Sequence, residues 1–296
     1  MGSYNCYKIN QDHLTAIKLM LLNCFVVSSM GVFSRFSVEF FSTSILMLIY
    51  NLIAFTILSL YIFIKKLPIK TRNIYLYFFR SLVTVIAYFL FFRALKYISI
   101  ANATALSYLD PVLSCLLISL VLHEKFSTFQ IIRLAIAFLG MILIVKPDSN
   151  LINYGGILVV FATILWAIAN TITRFTKNSD SFTIQVFYTT LFGSIILFIL
   201  SFFEEQKFFL TNYSFGLVFT ISFLALIQYF SVFKSLSLAP AVITMPFSFS
   251  AIVFSIIYSH YFFNESQSLL DLIGTILIIF ANVIQFFIPK ILKITT

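Results

Sequence analysis

Long apolar stretches recur along the whole chain and are separated by short polar breaks. Ten of them approach or exceed the roughly 20 residues that a helix needs to cross the hydrocarbon core of a bilayer. They cover residues 14–34, 40–64, 74–95, 99–122, 128–146, 154–173, 181–203, 213–233, 238–262 and 267–289. The breaks between them are too short to form a soluble domain. The pattern predicts an all-α membrane protein with ten transmembrane helices.

The composition agrees with a chain that lies mostly in lipid. Of its 296 residues, 61% are hydrophobic and only 10% are charged, whereas soluble domains carry about 25% charged residues. Soluble and disordered chains are therefore excluded. The 38 Phe residues are typical of an AT-rich bacterial genome. We therefore expect a multi-pass protein of the bacterial inner membrane, in contact with the lipid bilayer.

The sequence offers no motif for a metal or a cofactor. Cys6, Cys24 and Cys115 are scattered, and no CxxC or Cys/His spacing occurs. The formal net charge of +9 is explained by basic residues that flank the spans, so no nucleic-acid partner is expected. The oligomeric state stays open.

Basic residues also predict the orientation, because Lys and Arg favour cytoplasmic loops. With the N-terminus inside, the inner segments hold eleven Lys and Arg residues and the outer loops hold five. Both termini are therefore predicted to be cytoplasmic, with Glu204 and Glu205 outside. Within the fifth span, Arg133 lies close enough to the cytoplasmic end for its side chain to reach the headgroups.

A pattern in the first half of the chain recurs in the second. Tyr88 recurs as Tyr229 at an offset of 141 positions (229 − 88), and Glu124 recurs as Glu265 at the same offset. Each half holds five spans, an odd number, so the second copy must enter the membrane from the opposite side.

This pattern predicts two inverted five-helix repeats, residues 1–148 and 149–296. Inverted repeats are typical of secondary transporters, whose substrate site lies near the midplane where the halves meet.

Stripes of small and polar residues occupy equivalent positions of the fourth and ninth spans. Helical spacing places each stripe on one face. The polar members are Ser107, Asp110 and Ser114 in the fourth span and Thr244, Ser248 and Ser255 in the ninth. Small residues also allow helices to approach closely, and their hydroxyls bond to backbone. Because both repeats keep the stripe, we favour a shared cavity wall.

Asp110 lies near the middle of the fourth span, just before Pro111, and its counterpart in the second half is Ala251. A carboxylate at the bilayer centre costs about 2.5–3.5 kcal/mol and needs a partner, a proton or a watered cavity. It is either a structural carboxyl, a proton-coupling group or the counter-ion of a cationic substrate. Arg80, in the third span, is its natural partner if the side chain turns inwards rather than towards the headgroups.

Five polar side chains with aromatic or amide character are further candidates for the cavity lining. Aromatic rings with a polar atom suit a site that holds a ring or a cation. These candidates are Tyr88, Trp166, Asn170, Gln228 and Tyr229.

Three segments resemble the EamA-type branch of the drug/metabolite transporter superfamily. Residues 99–112 with Glu124 resemble its fourth helix, Leu-Trp-Ala at 165–167 with Arg174 resembles its sixth, and Phe-Phe-Asn-Glu at 262–265 resembles its ninth. The resemblance covers nearly the whole chain. It implies a basket-shaped bundle with a central cavity lined mainly by helices one, three, four, six, eight and nine.

Two positions depart from that family's pattern. Asp110 stands where an apolar residue is usual, and Tyr50 and Asn51 stand where many members carry an Arg. Within the family, the chain is similar in style to rickettsial S-adenosylmethionine uptake carriers. The resemblance implies a secondary transporter of a small organic metabolite, cationic or amino-acid-like, such as S-adenosylmethionine. Protons are a candidate coupling ion because of the acid at Asp110.

Other classes of membrane protein remain as alternatives. An exporter of amino acids or drugs would share the same pattern. A membrane-embedded lipid-modifying enzyme needs an acid, base or metal cluster at one membrane face. His13, His123 and His260 are far apart, and no carboxylate pair at catalytic spacing occurs, so an enzyme is not expected. Nothing in the sequence resembles a channel filter or a receptor domain.

Overall fold

The protein is a bundle of α-helices in its computed structural model, which describes residues 11–37, 39–98, 100–124, 128–146, 153–203, 207–209, 211–264 and 267–291. The α-helices are α1 Gln11–Ser37, α2 Thr43–Lys65, α3 Ile74–Ala94, α4 Ile100–Ser107, α5 Leu109–Leu122, α6 Thr128–Val145, α7 Tyr154–Phe175, α8 Phe182–Ser201, α9 Asn212–Leu238, α10 Ala241–Thr244, α11 Ser250–Phe263 and α12 Leu269–Ile291. Glu204, Glu205 and Glu265, which entered the sequence-based predictions, lie outside the described residues.

The described helices account for ten membrane spans. Nine helical stretches in this part of the chain are long and apolar enough to cross a bilayer, and Leu269–Ile284 in α12 is a further apolar stretch. Two of the nine combine shorter helices: α4 with α5, over Asn102–Leu122, and α10 with α11, over Ala241–Phe262. Large apolar side chains such as Phe161 and Phe219 are exposed on the outer surface, as lipid-facing helices require. The predicted all-α membrane fold is confirmed.

The fourth and ninth spans are both interrupted near their middle. The fourth breaks at Tyr108, between α4 and α5, and the ninth passes through a 3-10 turn at Met245–Phe249. Pro246 has no backbone N–H, so an α-helical hydrogen bond is lost there. Position 108 plus the repeat offset of 141 is position 249, so the two breaks are equivalent.

Side chains from neighbouring helices satisfy carbonyl groups at the break in the ninth span. Cys24 Sγ on α1 donates to Phe247 O at 3.3 Å, and Arg133 Nη2 on α6 donates to Ile243 O at 2.9 Å. The prediction that Arg133 reaches the headgroups is wrong. Its side chain is fully buried, with the guanidinium 5.3 Å from the ring centroid of Phe247, because a carbonyl released by the broken helix accepts its hydrogen bond.

The helix packing is two-fold related. Three contacts in the bundle each have a counterpart in which the halves are exchanged. The contact α1–α9 corresponds to α7–α3, α5–α7 corresponds to α11–α1, and α3–α8 corresponds to α9–α2. The pairs α2–α8 and α6–α12 each join equivalent helices of the two halves. Exchanging the halves therefore reproduces these contacts.

The crossing of α6 and α12 shows how the halves are oriented. A Cβ added at Gly140 would lie 2.7 Å from Gly274 O and 2.9 Å from Ile278, so the two backbones are in close contact. Six residues further along α6, Lys146 forms an ion pair with Asp271, at the beginning of α12. Because residue numbers rise along α6 while those of its partners fall, the helices are antiparallel. Each is the fifth span of its half, so the halves are inverted.

Loops tie the two halves together at both ends of the bundle. At one end, Phe41 and Phe208 form an antiparallel bridge. At the other, the buried Asp180 Oδ2 accepts hydrogen bonds from Thr71 Oγ1 at 2.8 Å and from Tyr77 OH at 2.8 Å. These ties hold the second and seventh spans beside the third and eighth, which frame the candidate site.

Candidate functional site

One face of α7 contacts most of the candidate site. Trp166, Asn170 and Arg174 follow one another at four-residue spacing, and Thr173 lies beside them, so their side chains share a face. Helix α7 packs against both α3 and α5. Side chains from three helices therefore meet along this face.

Asp110 lies in the first turn of α5, next to the break in the fourth span. Its Oδ1 accepts hydrogen bonds from Ser114 Oγ at 2.9 Å and from Asn170 Nδ2 at 3.2 Å, and its Oδ2 lies 3.3 Å from the same amide. The amide is shared further, because Asn170 Nδ2 lies 3.0 Å from Ser114 Oγ. Among the described residues, Asp110 has neutral partners only, and no Lys or Arg forms an ion pair with it.

Arg80 on α3 is buried and turns into the protein, as one of the two alternatives predicted. Its Nε donates to Thr173 Oγ1 at 2.7 Å, and its Nη1 lies 3.4 Å from Thr189 Oγ1 on α8. The guanidinium stacks 4.4 Å from the ring centroid of Phe233 on α9. The predicted partner is wrong, because Arg80 is not paired with Asp110. Hydroxyl groups and an aromatic ring hold it instead.

The two charged groups are nevertheless close along α7. Asp110 contacts Asn170, and Arg80 contacts Thr173, three residues further on. Three residues of α-helix rise roughly 4.5 Å, so the contact points are about one helical turn apart. Tyr88 lies within electrostatic range of both Arg80 and Asp110.

Aromatic side chains fill the space beside these charges. Tyr50, Tyr88 and Tyr229 lie within electrostatic range of one another, on α2, α3 and α9. The Tyr88 ring meets Trp166 edge-on, with centroids 5.3 Å apart. Tyr229 OH donates to Asn51 Oδ1 at 2.8 Å. The two tyrosines of the sequence repeat therefore lie within electrostatic range of each other, on α3 and α9.

Four predicted site residues lie apart from this group. Ser107 and Thr244 donate to backbone carbonyls three residues earlier in their own helices, at 2.7 and 3.5 Å. Ser248 packs against Met20 on α1, with its Oγ 3.6 Å from the sulfur. Gln228 is half-buried on α9, and its side chain makes no hydrogen bond among the described residues. The seven that the structure brings together are Arg80, Tyr88, Asp110, Ser114, Trp166, Asn170 and Tyr229.

Other residues of the site were not chosen from the sequence. Asn51, Thr173, Thr189 and Phe233 hold the tyrosine and the arginine in place. Asn51 had a signal, because it departs from the pattern of the resembling family. The two threonines had none, since Thr is common in membrane helices and its partner is known only once the helices are packed.

One end of the bundle is closed below the site by an ion pair. Arg174 Nε lies 2.8 Å from Glu124 Oε1, and both side chains are largely buried. Arg174 Nη1 also donates to Leu236 O at 2.5 Å, and Glu124 Oε2 accepts a hydrogen bond from Ala241 N at 3.2 Å. We call these four residues the end clamp. The end clamp joins the ends of α5, α7 and α9 to the beginning of α10.

The described residues form a small crevice towards the opposite end of the bundle. It lies between α2, α3 and α8 and has a volume of about 20 Å³. Its lining runs from Thr43, at the beginning of α2, and Leu200, at the end of α8, to Tyr88. Of the three tyrosines, Tyr88 lines this crevice, which lies towards the end of the bundle away from the end clamp.

This fold and this central group of charges define a membrane transporter. The chain belongs to the EamA-like transporter family, whose model matches it twice, over residues 14–146 and 153–287. The two matches correspond to the two halves of the helix bundle.

Known proteins similar to this chain are also transporters. The "S-adenosylmethionine uptake transporter" of Rickettsia conorii is 23% identical over 272 residues, which is 91% of each chain. The "Uncharacterized transporter YyaM" of Bacillus subtilis is 29% identical over 143 residues, 46% of this chain and 47% of that protein. A crystal structure covering 95% of this chain and 99% of its own has a TM-score of 0.81 at 12% identity, which supports the fold alone.

Proposed function

We propose that this protein is a secondary transporter that moves a small, amino-acid-like or cationic metabolite across a bacterial inner membrane, with S-adenosylmethionine as the first candidate. The observation that carries the proposal is the central pair of unneutralised charges, Asp110 and Arg80, beside the tyrosine group. Similarity to rickettsial S-adenosylmethionine uptake transporters supports the choice of candidate.

Alternating access follows from the arrangement of the two halves. The charges lie on the face of α7 between the end clamp and the crevice at Tyr88. A substrate bound there leaves on the clamp side only if the contacts of Arg174 and Glu124 separate. Both termini are proposed to be cytoplasmic, from the distribution of basic residues, which places the end clamp on the cytoplasmic side. The protein performs transport without chemical conversion of its substrate.

Uptake into proteoliposomes tests the proposal. Purified protein should accumulate radiolabelled S-adenosylmethionine with saturable kinetics, and Asp110→Asn should reduce the rate tenfold or more, equivalent to about 1.4 kcal/mol of lost stabilisation. Ser107→Ala is the matched control, because that hydroxyl bonds within its own helix, and it should keep the wild-type rate. If Asp110→Asn transports at the same rate as the wild type, the charge of Asp110 has no role in transport.

A further inference from the structure

The central site contains two buried charges of opposite sign that do not neutralise each other. Arg80 has hydroxyl and aromatic partners, and Asp110 has hydroxyl and amide partners. Neither takes part in an ion pair among the described residues. An unpaired charge inside a membrane protein is costly and suggests a functional site, and here two such charges contact the same face of α7 about one turn apart.

Their own contacts keep the two charges apart. Arg80 is fixed on one side by Thr173 and by the ring of Phe233. Asp110 is fixed on the other by Ser114 and Asn170. The contact points on α7 are about one turn apart, and the two charged groups contact different residues of the same helix face rather than each other.

Both charges also retain free hydrogen-bonding capacity. Arg80 Nη2 has no partner among the described residues, and its Nη1 has only the long contact to Thr189. Asp110 Oδ2 has only the 3.3 Å contact to an amide that is shared three ways. A guanidinium binds a carboxylate especially well, and an ammonium group is the natural partner of a carboxylate.

We propose that Arg80 and Asp110 together read a zwitterion, with Arg80 binding the carboxylate of an α-amino acid and Asp110 binding its ammonium group. This inference rests on the proposed transport function and names its substrate class. The ligand is an α-amino acid whose side chain lies against Tyr88 and Trp166, which form an edge-on aromatic pair at 5.3 Å. Sugars, nucleosides and polyamines, which lack one or both charges, are excluded as substrates.

Binding of matched ligands to the full-length protein in detergent tests this assignment. The probes are S-adenosylmethionine, its decarboxylated form and its deamino form, each measured by calorimetry. Both analogues should bind the wild type at least tenfold more weakly than the parent. Arg80→Gln should weaken binding of the parent at least tenfold and leave binding of the decarboxylated ligand unchanged. Asp110→Asn should also weaken binding of the parent at least tenfold, but it should leave binding of the deamino ligand unchanged.

Comparing the affinities of the ligands within one variant separates a specific effect from general damage to the fold, because such damage weakens the binding of every ligand alike. Arg80→Lys, which keeps the charge, should retain part of the preference for the carboxylate. If the deamino ligand binds the wild type as tightly as the parent, Asp110 contacts the sulfonium group instead and the proposal is overturned. The proposal is also overturned if Arg80→Gln weakens the binding of all three ligands equally.

Uptake assays separate this inference from the proposed function. If the S-adenosylmethionine series does not bind, the same scheme is applied to L-methionine, its decarboxylated amine and its deamino acid. Saturable uptake of putrescine, adenosine or glucose 6-phosphate, without uptake of any amino acid, would support the transport function and reject the zwitterion site. No saturable uptake of any of these compounds would reject the transport function itself.

Discussion

Asp110 has no charged equivalent in the other half of the molecule. The repeat places Ala251 at its counterpart, and there a serine hydroxyl on α1, that of Ser28, donates to the backbone carbonyl at 2.7 Å. At this position the second half thus forms a hydrogen bond between two helices, α1 and α11, whereas the first half has a carboxylate. The asymmetry supports the proposed role of Asp110 in substrate binding, because the repeat architecture needs no acid at this position.

A proton gradient distinguishes the two functional roles of Asp110. If its charge is balanced by the cationic group of the substrate, an imposed pH gradient should leave uptake by the wild type unchanged. Uptake into proteoliposomes with equal and unequal internal and external pH measures this. Uptake driven by the gradient in the wild type but not in Asp110→Asn would instead show that the carboxyl carries a proton.

Single residues also show where inference from the sequence ends. Asp110 was found because an acid in an apolar span is costly wherever the helices lie. The partner of Arg80 was not, because it depends on how α3, α7 and α8 pack around it. Thr173 and Thr189 satisfy the guanidinium, and nothing in their local sequence distinguishes them from other membrane threonines.

At the scale of the helices, close backbone contact fixes the α6–α12 crossing. Gly140 and Gly274 face each other there, and a Cβ on either would collide with the carbonyl of the other. The ten spans and their inversion were predictable from the sequence. The length of each apolar stretch and the odd number of spans in each half can be counted without knowing how the helices pack. The broken spans were not predictable, because Pro111 and Pro246 show only that hydrogen bonds are lost, not how each helix continues.

Gly140→Ala tests the crossing. The added methyl group would lie 2.7 Å from Gly274 O, so the helices must separate, and overpacking of this kind costs about 1–3 kcal/mol. Thermal unfolding of the purified protein should therefore show a lower Tm. Gly216→Ala on α9 is the matched control, since its Cβ meets nothing within 4 Å. Because Ala favours a helix over Gly by about 1 kcal/mol, its Tm should equal or exceed that of the wild type. Equal Tm values for the two variants would contradict a tight crossing.

At the scale of the whole molecule, the two ends differ in the ion pairs that join the helices. The end clamp is largely buried and joins four helices, whereas Lys146 and Asp271, at the other end, are more exposed and join only α6 and α12. Breaking a buried pair leaves an uncompensated charge, while an exposed pair contributes little. The clamp is thus the contact that resists opening towards the proposed cytoplasmic side.

Glu124→Gln should therefore open the clamp end of the molecule. The substitution removes the charge that faces Arg174, so the contacts at Leu236 and Ala241 weaken and solvent reaches the end of α9. A cysteine placed at Ser237, next to the clamp, reports this through its rate of modification by a membrane-impermeant maleimide. Cys6 is replaced by Ser in all samples, while Cys24 and Cys115 are buried and are retained.

The expected result is faster labelling of position 237 in Glu124→Gln than in the otherwise identical protein, and only in inside-out vesicles, where the proposed cytoplasmic face is accessible. Asp271→Asn removes an ion pair at the other end of the bundle and is the matched control, so it should leave the labelling rate unchanged. If Glu124→Gln labels no faster, the clamp does not close the path. Labelling confined to right-side-out vesicles would reverse the proposed orientation of the chain, because the clamp end would then face outwards.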